Sequence, residues 1–251
     1  MQRSESMLRV RNKRAEEWLR TKSTSLLAGI KTQWRGPVQE ALVSGMEQGL
    51  NPNKVGLELA GRVNPQTGKR EGGVIVLGEP EQKLVRDVRC CLEELDAKYF
   101  TYDLRDKRFD PSVQRAIKKN EGLTGDKITL LVNRFEAKLS KHHADMLART
   151  EMLAALNRSE WLSINEAIET GALQECALTR IWDSAGNDHV RPCHRALNGQ
   201  SLVGLSDCFV SPLTGAKMMH PGDTTLGATE DEVYGCRCGV RYVVDWLYGV
   251  K

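Results

Sequence analysis

The longest periodic pattern in the chain runs from Thr124 to about Thr170. Apolar residues recur there at steps of three and four positions, which is the spacing of one face of an α-helix. No glycine or proline interrupts 126–170. An unbroken helix of about 45 residues would be about 65 Å long, so we expect one break near Asn157-Arg158-Ser159. The apolar positions are Leu130, Leu131, Phe135, Leu139, Leu147, Leu153, Leu156, Trp161, Ile164 and Ile168.

Shorter helical patterns precede this segment. They predict helices over 5–30, 38–50, 54–62 and 79–99, and a short helix that begins at Asp110-Pro111. Pro37 and Gly49 flank the second of these, in the order that helix ends prefer. Residues 64–73 are rich in turn-forming types and predict a loop.

The character of the chain changes after Gly171. Residues 172–251 are rich in Gly, Cys, His, Pro and Asp, and three short runs favour strands, over 177–182, 201–203 and 239–246. The predicted fold class is α+β, with a mostly helical N-terminal region that contains the long helix, followed by a small irregular α+β domain. We expect a basic N-terminal arm or helix at 1–34, a helical domain at 35–171 and the C-terminal domain at 172–251.

Composition excludes several classes of protein. The 251 residues are 40% hydrophobic and 27% charged, which excludes a collagen-like fibre and wholesale disorder. The apolar runs fall far short of the ~20 residues that span a bilayer, and the charged start lacks the apolar core of a secretory signal. We therefore expect no membrane partner, and cysteines that are thiols or metal ligands rather than disulfides.

Charge is unevenly distributed along the chain. Residues 1–150 carry 28 Lys and Arg against 20 Asp and Glu, a net +8, whereas residues 151–251 carry 8 against 13, a net −5. The basic surplus fits either an ordinary solvated surface or a face for a polyanion. If the arm binds DNA, the expected contacts are Arg9, Arg11, Lys13, Arg14, Arg20 and Lys22.

Four residues of the last third form a candidate zinc site, namely Cys193, His220, Cys236 and Cys238. Thiolate and imidazole donors suit zinc, and four of them close a tetrahedral site. Cys236 and Cys238 would point to opposite faces of an extended strand, so both bind one ion only if the chain turns between them. The alternative is a small domain with buried thiols and no cofactor.

Two constellations suggest catalysis, and neither is complete. Cys193 beside His194 resembles a nucleophile and its base, but sequence neighbours rarely hold the geometry that proton transfer needs. Glu230 and Glu232 have the spacing of the glutamates of arginine-directed ADP-ribosyltransferases, and a solvated acidic loop has it too. No metalloprotease, serine hydrolase or dinucleotide-binding motif occurs. The sequence therefore predicts a protein that is not an enzyme; the alternative is an enzyme, such as a nuclease, that acts on DNA or on a host protein.

A structural interpretation accounts for most of these residues together. Asp188 and Arg191 are three positions apart, and we expect them to pair and to fix the nearby histidine. Trp182 and Phe209 are expected to form the apolar kernel of a domain that is too small to bury much else. We expect a larger set of residues to fix the conformation of the domain through polar and apolar contacts. The set is Arg149, Glu151, Trp182, Asp188, Arg191, His194, Gly199, Cys236, Arg237 and Cys238.

These positions belong to a run of motifs that holds its order and spacing over 148–238. The run comprises Ala148-Arg149-Thr150-Glu151, Trp182, Asp188 with Arg191 and His194, Leu197-Asn198-Gly199, Asp207 with Phe209, Pro221-Gly222-Asp223 and Cys236-Arg237-Cys238. It resembles the phage Mu F-like family, the minor head (head morphogenesis) proteins of tailed phages. Segments 68–73 and 104–110 are also similar, so the resemblance covers roughly 35–245. Cys193 and Cys208 depart from the family pattern, so a zinc site that used Cys193 would be particular to this chain.

The resemblance implies a structural role in a virion. Members of this family are low-copy head components near the portal vertex, and they aid head assembly and the packaging or ejection of DNA. The partners that it implies are the portal protein, the major capsid protein or both, with DNA as a further candidate. The expected location is the phage head, assembled in the host cytoplasm.

Overall fold

The computed structural model describes residues 12–21 and 32–248. Helices dominate the described residues as far as residue 169. Between two of these helices, two strands of two residues each form a short antiparallel hairpin, in which Val63 pairs with Arg70. The helices are α1 (Lys13–Thr21), α2 (Thr32–Glu47), α3 (Pro52–Ala60), α4 (Glu79–Glu93), α5 (Asp110–Lys119) and α6 (Gly125–Glu169), and the hairpin strands are β1 (Arg62–Val63) and β2 (Arg70–Glu71).

Short strands and helices make up the C-terminal region. The strands are β3 (Leu178–Asp183), β4 (Ser201–Val203), β5 (Phe209–Val210), β6 (Lys217–Met218) and β7 (Gly239–Val244), and the helices are α7 (Pro192–Leu197) and α8 (Glu230–Val233). The first, second and last of these strands form an antiparallel sheet in the order β4-β3-β7, and β5 pairs with β6. A long helix followed by small sheets confirms the predicted α+β class.

The predicted break in the long helix is wrong. Helix α6 is continuous over 45 residues, through Asn157 and Ser159. The Ser159 hydroxyl bonds back to the Leu156 carbonyl at 3.0 Å, and the Asn157 amide reaches the carbonyls of Pro221 and Cys238, both at 3.3 Å. Polar side chains interrupt a helix when they compete for its own backbone; here Asn157 is directed away from the helix, and the backbone bonds remain intact.

The described residues fall into two compact units. One contains 12–21, 42–52 and 146–248, and the other contains 32–41 and 53–145. The predicted boundary at residue 171 marks where the secondary structure changes, whereas the boundary between the units falls at residue 145, inside α6. A helix is set by local backbone bonds and a unit by tertiary packing, so one long helix contributes to both units.

Each unit has its own apolar core. In the unit of 53–145, the buried side chains include Leu92, Tyr99 and Phe135. In the unit of 146–248, Trp182 and Phe209 meet edge to face, with ring centroids 5.3 Å apart, which confirms the predicted kernel. The remaining buried members of that cluster are Leu197, Met218, Ala228, Cys236, Cys238 and Val240.

Strand β3 positions the site because its alternate residues face inwards. Leu178, Arg180 and Trp182 are buried, whereas Thr179 and Ile181 are partly exposed, which is the period of two expected of a half-buried strand. In register, Trp182 lies opposite Val240 of β7. The tight turn after α7 uses Gly199, which has a φ of +82° and whose N–H donates to the Trp182 carbonyl at 2.9 Å. A positive φ favours glycine at that position.

Candidate functional site

Three local elements bring the candidate chemistry together in the unit of 146–248. Helix α7 opens with Pro192 at its first turn, which suits a residue without an N–H, and carries Cys193 and His194. Helix α8 carries Glu232. A turn follows α8, and the segment from that turn to β7 carries the two cysteines of the Cys-x-Cys motif. Because the three elements are short, tertiary contacts rather than helical periodicity decide which side chains face inwards.

His194 lies at the centre of this group and uses both ring nitrogens. Its Nδ1 is 3.4 Å from the Sγ of Cys236 and 3.6 Å from the Sγ of Cys238. Its Nε2 is 3.0 Å from Oε2 of Glu232. The exposed fractions are 1% for His194, 5% for Glu232, 7% for Cys236 and 4% for Cys238, so the group is closed to bulk solvent.

The chain turns at residues 234–235, and the Cys-x-Cys motif follows directly at the end of that turn. The Cys236 N–H donates to the Val233 carbonyl at 3.1 Å, and the Cys238 N–H donates to the Cys236 sulfur at 3.4 Å. Gly235 has a φ of +68°, which allows the chain to reverse direction before the first cysteine. Both sulfurs therefore face the same imidazole nitrogen.

Residues of α6 and β3 hold this turn in place. The Thr150 hydroxyl accepts the Gly235 N–H at 2.7 Å, and the Asn157 amide donates to the Cys238 carbonyl. The Trp182 ring meets the His194 ring edge to face, at 5.5 Å between centroids. Three side chains that are distant in sequence thus fix the positions of the His194 imidazole and of the turn that precedes the cysteines.

The two thiols titrate as a pair. Hydrogen bonding from Cys236 lowers the pKa of Cys238 to about 5; burial opposes this shift, and His194 and Trp182 add to it. The same hydrogen bond, followed by burial, raises the pKa of Cys236 well above its ordinary value. The hydrogen bond between the two sulfurs therefore favours ionisation of Cys238 over ionisation of Cys236.

Glu232 is the acidic member of the group. Burial disfavours its charge, but hydrogen bonds with Thr214, Cys193 and His194 lower its pKa overall. The Cys193 thiol is 3.4 Å from Oε2 of Glu232, and burial raises the pKa of that thiol. An activated cysteine nucleophile needs the opposite shift. Glu230, which the sequence paired with Glu232, is exposed.

The ligand set predicted for zinc differs from the groups that the structure brings together. Two donor groups lie within metal-binding distance in the described part of the chain: one combines His194, Cys236 and Cys238, and the other combines Cys193, His194 and Glu232. His220 belongs to neither group, and its Nδ1 lies 3.2 Å from the Pro221 carbonyl. The predicted cysteine pair therefore meets His194 in place of His220, and a metal-binding cluster compatible with zinc is present.

Cys193 does not join the cysteine pair. Its sulfur bonds to the carboxylate that faces Nε2 of His194, whereas Cys236 and Cys238 face Nδ1. The imidazole ring therefore separates the third cysteine from the other two. Sequence proximity to His194 gave no information about which side of the ring Cys193 would occupy.

Among the other residues that were expected to hold the domain together, the predicted pair of Asp188 and Arg191 is wrong. Asp188 is exposed, and the described residues contain no ion pair between it and Arg191; instead, Arg191 donates to the Tyr234 carbonyl, just before the cysteine turn. Arg149 donates to the Met146 sulfur at 3.6 Å. Glu151 is buried, with 2% exposed, and Arg237 is exposed.

Sequence reasoning missed Arg180, which is completely buried. Its guanidinium donates to the carbonyls of Gly204 at 2.6 Å, Met219 at 3.0 Å and Asp207, and it stacks on Phe209 at 5.3 Å. The one available signal was an arginine at an inward position of a strand. Arg180 ties two loops, the one between β4 and β5 and the one after β6, to the central strand.

The predicted nucleic-acid contacts are described only in part, since Arg9, Arg11 and Lys22 lie outside the described residues. Helix α1 buries Ala15 and Leu19 and exposes Lys13, Arg14 and Arg20. Two of these cations have acidic partners: Arg14 pairs with Glu166, and Arg20 lies 2.8 Å from Glu47. Exposed ion pairs of this kind contribute ~0–1 kcal/mol, so they exchange readily with other anions.

Comparison with known proteins gives no match: no family model, no curated protein and no solved structure matches the chain. Within residues 12–21 and 32–248, no helix is both long enough and apolar enough to cross a membrane.

Proposed function

We propose that this chain is a minor head protein of a tailed phage, a structural component near the portal vertex that aids head assembly and the packaging or ejection of DNA. One observation carries the proposal. The imidazole of His194 contacts Trp182, Cys236 and Cys238, and all four residues belong to the motif run that resembles the Mu F-like family. All four are buried. Motif residues that pack against one another in the interior support a structural role for the C-terminal unit.

Closure of the site favours architecture over catalysis. An enzyme that acts on DNA or on a host protein must expose its reacting groups to a macromolecular substrate. His194 and Glu232 are 1% and 5% exposed, and the carboxylate is occupied by Cys193 and His194. We therefore propose that the chain is not an enzyme.

The proposed partners are the portal protein, the major capsid protein or both. The described surface offers apolar side chains for such contacts, among them Trp246 with 78% exposed and Leu247 with 76% exposed. Burial of large apolar side chains dominates stable protein interfaces. DNA is a further proposed partner of the basic face of α1, where Lys13, Arg14 and Arg20 are exposed.

The composition of purified particles tests this function. Particles produced from the genome that encodes the chain are purified, and the chain is quantified by mass spectrometry against the portal protein. We expect the chain in low copy in every full particle. Deletion of its gene should reduce the yield of infectious particles, and the wild-type gene supplied in trans should restore that yield. Absence from particles, with normal infectivity after deletion, would exclude the proposal.

A zinc-bound structural module is a second candidate function, compatible with the first. The observation that favours it is the buried group of two thiols and one imidazole, because thiolate and imidazole donors both suit zinc. Elemental analysis of protein purified under reducing conditions tests it directly. We expect one zinc per chain, and protein that contains no metal and takes none up would end this candidate.

A further inference from the structure

We infer that the metal centre is built by His194 through Nδ1, by Cys236 and by Cys238, with Glu232 as the positioning residue of the imidazole. This inference rests on the proposed zinc-bound module and goes further in three respects. It assigns the ligand atoms, it places Cys193 and His220 outside the coordination sphere, and it leaves one position on the ion for a small ligand such as water.

The distances between donors fit one tetrahedral ion. Bonds of about 2.3 Å from zinc to sulfur and about 2.0–2.1 Å from zinc to nitrogen place those two ligand atoms about 3.6 Å apart at a tetrahedral angle. The observed separations from His194 Nδ1 are 3.4 Å to Cys236 and 3.6 Å to Cys238. Both nitrogen–sulfur separations are therefore close to those that zinc requires, and the three donor atoms all lie within 4.8 Å of one another.

Glu232 determines which nitrogen of His194 can bind the ion. Its carboxylate accepts a hydrogen bond from Nε2 at 3.0 Å, which holds the proton on Nε2 and leaves the lone pair of Nδ1 directed at the two sulfurs. A carboxylate behind a ligating histidine fixes the ring orientation and raises the basicity of the ligand. Thr214 and Cys193 in turn bond to the carboxylate, so the positioning residue is itself held.

A dication offsets the charge of the three ligands. Two thiolates and one neutral imidazole sum to −2, which a divalent ion neutralises, and burial of an uncompensated charge is costly. The Glu232 carboxylate adds one further negative charge, which its hydrogen bonds with Thr214, Cys193 and His194 stabilise. The donors are sulfur and nitrogen rather than oxygen, so zinc is favoured over magnesium or calcium. The group is closed to bulk solvent, so a small ligand at the fourth position would be enclosed together with the ion.

Cys193 lies on the wrong side of the imidazole to be a fourth ligand. It shares the carboxylate of Glu232 with Nε2, whereas the ion lies at Nδ1. The three-residue group therefore leaves the fourth position of a tetrahedral ion to a ligand that the chain does not supply from this cluster. Zinc-edge X-ray absorption should show two sulfur ligands and two light ligands; three sulfur ligands would overturn the assignment.

Variants of the full chain test the ligand set. Each is purified under reducing conditions, and its zinc content and its cobalt charge-transfer band are measured. We expect Cys236→Ser and Cys238→Ser each to lose stoichiometric metal and to weaken the thiolate band. Cys193→Ser keeps a hydroxyl that donates to the Glu232 carboxylate in place of the thiol, so this control and His220→Asn should keep both signals. Loss of metal from either control, or its retention in both ligand variants, would overturn the assignment.

The role of Glu232 has its own test. Glu232→Gln should weaken zinc affinity by about 10–100-fold, as loss of a carboxylate behind a ligating histidine does, and should leave two thiolates in the cobalt spectrum. Glu230→Gln changes the same charge at an exposed position of the same helix and should leave the affinity unchanged. Equal affinities for both variants and the wild type would remove Glu232 from the site.

A folding control covers variants that fail to fold. Wild-type protein is stripped with a chelator and its melting temperature is followed while zinc is added. A ligand that binds only the folded state raises that temperature as its concentration rises. Absence of a rise with zinc, or a Cys236–Cys238 disulfide that persists under reducing conditions, would overturn the centre and the zinc-bound module together. The head-protein proposal would stand, because particle composition tests it independently.

Discussion

His194 and Glu232, 38 positions apart in the sequence, share a hydrogen bond of 3.0 Å in surroundings that leave each at most 5% exposed. The bond joins two short helices, as does the 3.4 Å contact between the Cys193 sulfur and the same carboxylate. It also assigns different tasks to the two imidazole nitrogens, since one faces a carboxylate and the other faces two sulfurs. A pair that is buried and hydrogen-bonded in this way is costly to break from one side only.

Thr150→Val should destabilise the cysteine turn. The Thr150 hydroxyl accepts the Gly235 N–H at 2.7 Å and donates to the Met146 carbonyl at 2.7 Å. Valine keeps the shape and loses both bonds, so the partly buried Gly235 N–H is left without its partner, at a cost of about 1–2 kcal/mol in the free energy of unfolding. Urea unfolding followed by tryptophan fluorescence measures this.

Thr170→Val is the matched control for this change. Its hydroxyl makes a similar bond to the Glu166 carbonyl at 2.8 Å, at an exposed position, and surface changes of this kind stay within about 0.5 kcal/mol. Equal losses for Thr150→Val and Thr170→Val would show that the bond to Gly235 contributes nothing beyond a local helix contact.

Arg180→Met should be among the most destabilising substitutions in the C-terminal unit. It removes the donors that satisfy the carbonyls of Gly204, Met219 and Asp207, and buried acceptors without partners cost about 1–3 kcal/mol each. Arg180→Lys retains the charge but cannot reach three carbonyls at once, so it should recover only part of the loss. The readout is the urea midpoint of the intact chain.

Arg241→Met is the control for this series, because Arg241 lies on the neighbouring strand β7 and is exposed. Its loss should leave the urea midpoint nearly unchanged. If both arginines behaved alike, the carbonyl contacts of Arg180 would not be the reason for its effect.

The sequence predicted the α+β class and the long helix because both depend on local pattern. Apolar steps of three and four over α6 are sufficient to define a helix. The predicted break at Asn157-Arg158-Ser159 failed because a polar residue within a helix also has tertiary partners, and Asn157 bonds to Pro221 and Cys238. Such contacts join positions more than sixty residues apart and leave no local signature.

The candidate site was predicted in part. Cys236 and Cys238 could be identified from their motif, whereas the choice between His194 and His220 depends on where α7 lies in the fold. Glu232 could not be separated from Glu230 because α8 has only four residues, too few to reveal which side faces inwards. Periodicity needs about 11–18 residues to be informative.

Binding of DNA by α1 should depend steeply on salt. Contacts with phosphates release counterions, so the logarithm of the affinity falls linearly with the logarithm of salt concentration, by about 0.9 per contact. Arg14→Gln combined with Arg20→Gln should reduce that slope by about 2. Lys83→Gln with Arg86→Gln removes the same charge from α4 and should not change it. Binding that does not respond to salt would exclude DNA as a direct partner of the arm.

Glu160→Gln should stabilise the chain at neutral pH and leave it unchanged at pH 4. Burial raises the pKa of Glu160 to about 7, and its Oε2 has no hydrogen-bond partner among the described residues. A carboxyl with a raised folded pKa binds its proton more tightly in the folded state than in the unfolded state, whose pKa is about 4.3. Stability is therefore lost as pH rises between these two values, and glutamine, which does not ionise, avoids the loss.

The matched control for Glu160→Gln is Glu169→Gln, at an exposed position of the same helix α6. Urea midpoints measured from pH 4 to pH 8 should diverge between wild type and Glu160→Gln above about pH 4.3, and should level off once the pH exceeds the folded pKa. The wild type and Glu169→Gln should stay together throughout. A constant difference between wild type and Glu160→Gln at every pH would mean that the substitution changes packing rather than ionisation, because only a group that titrates differently in the two states produces a difference that grows with pH.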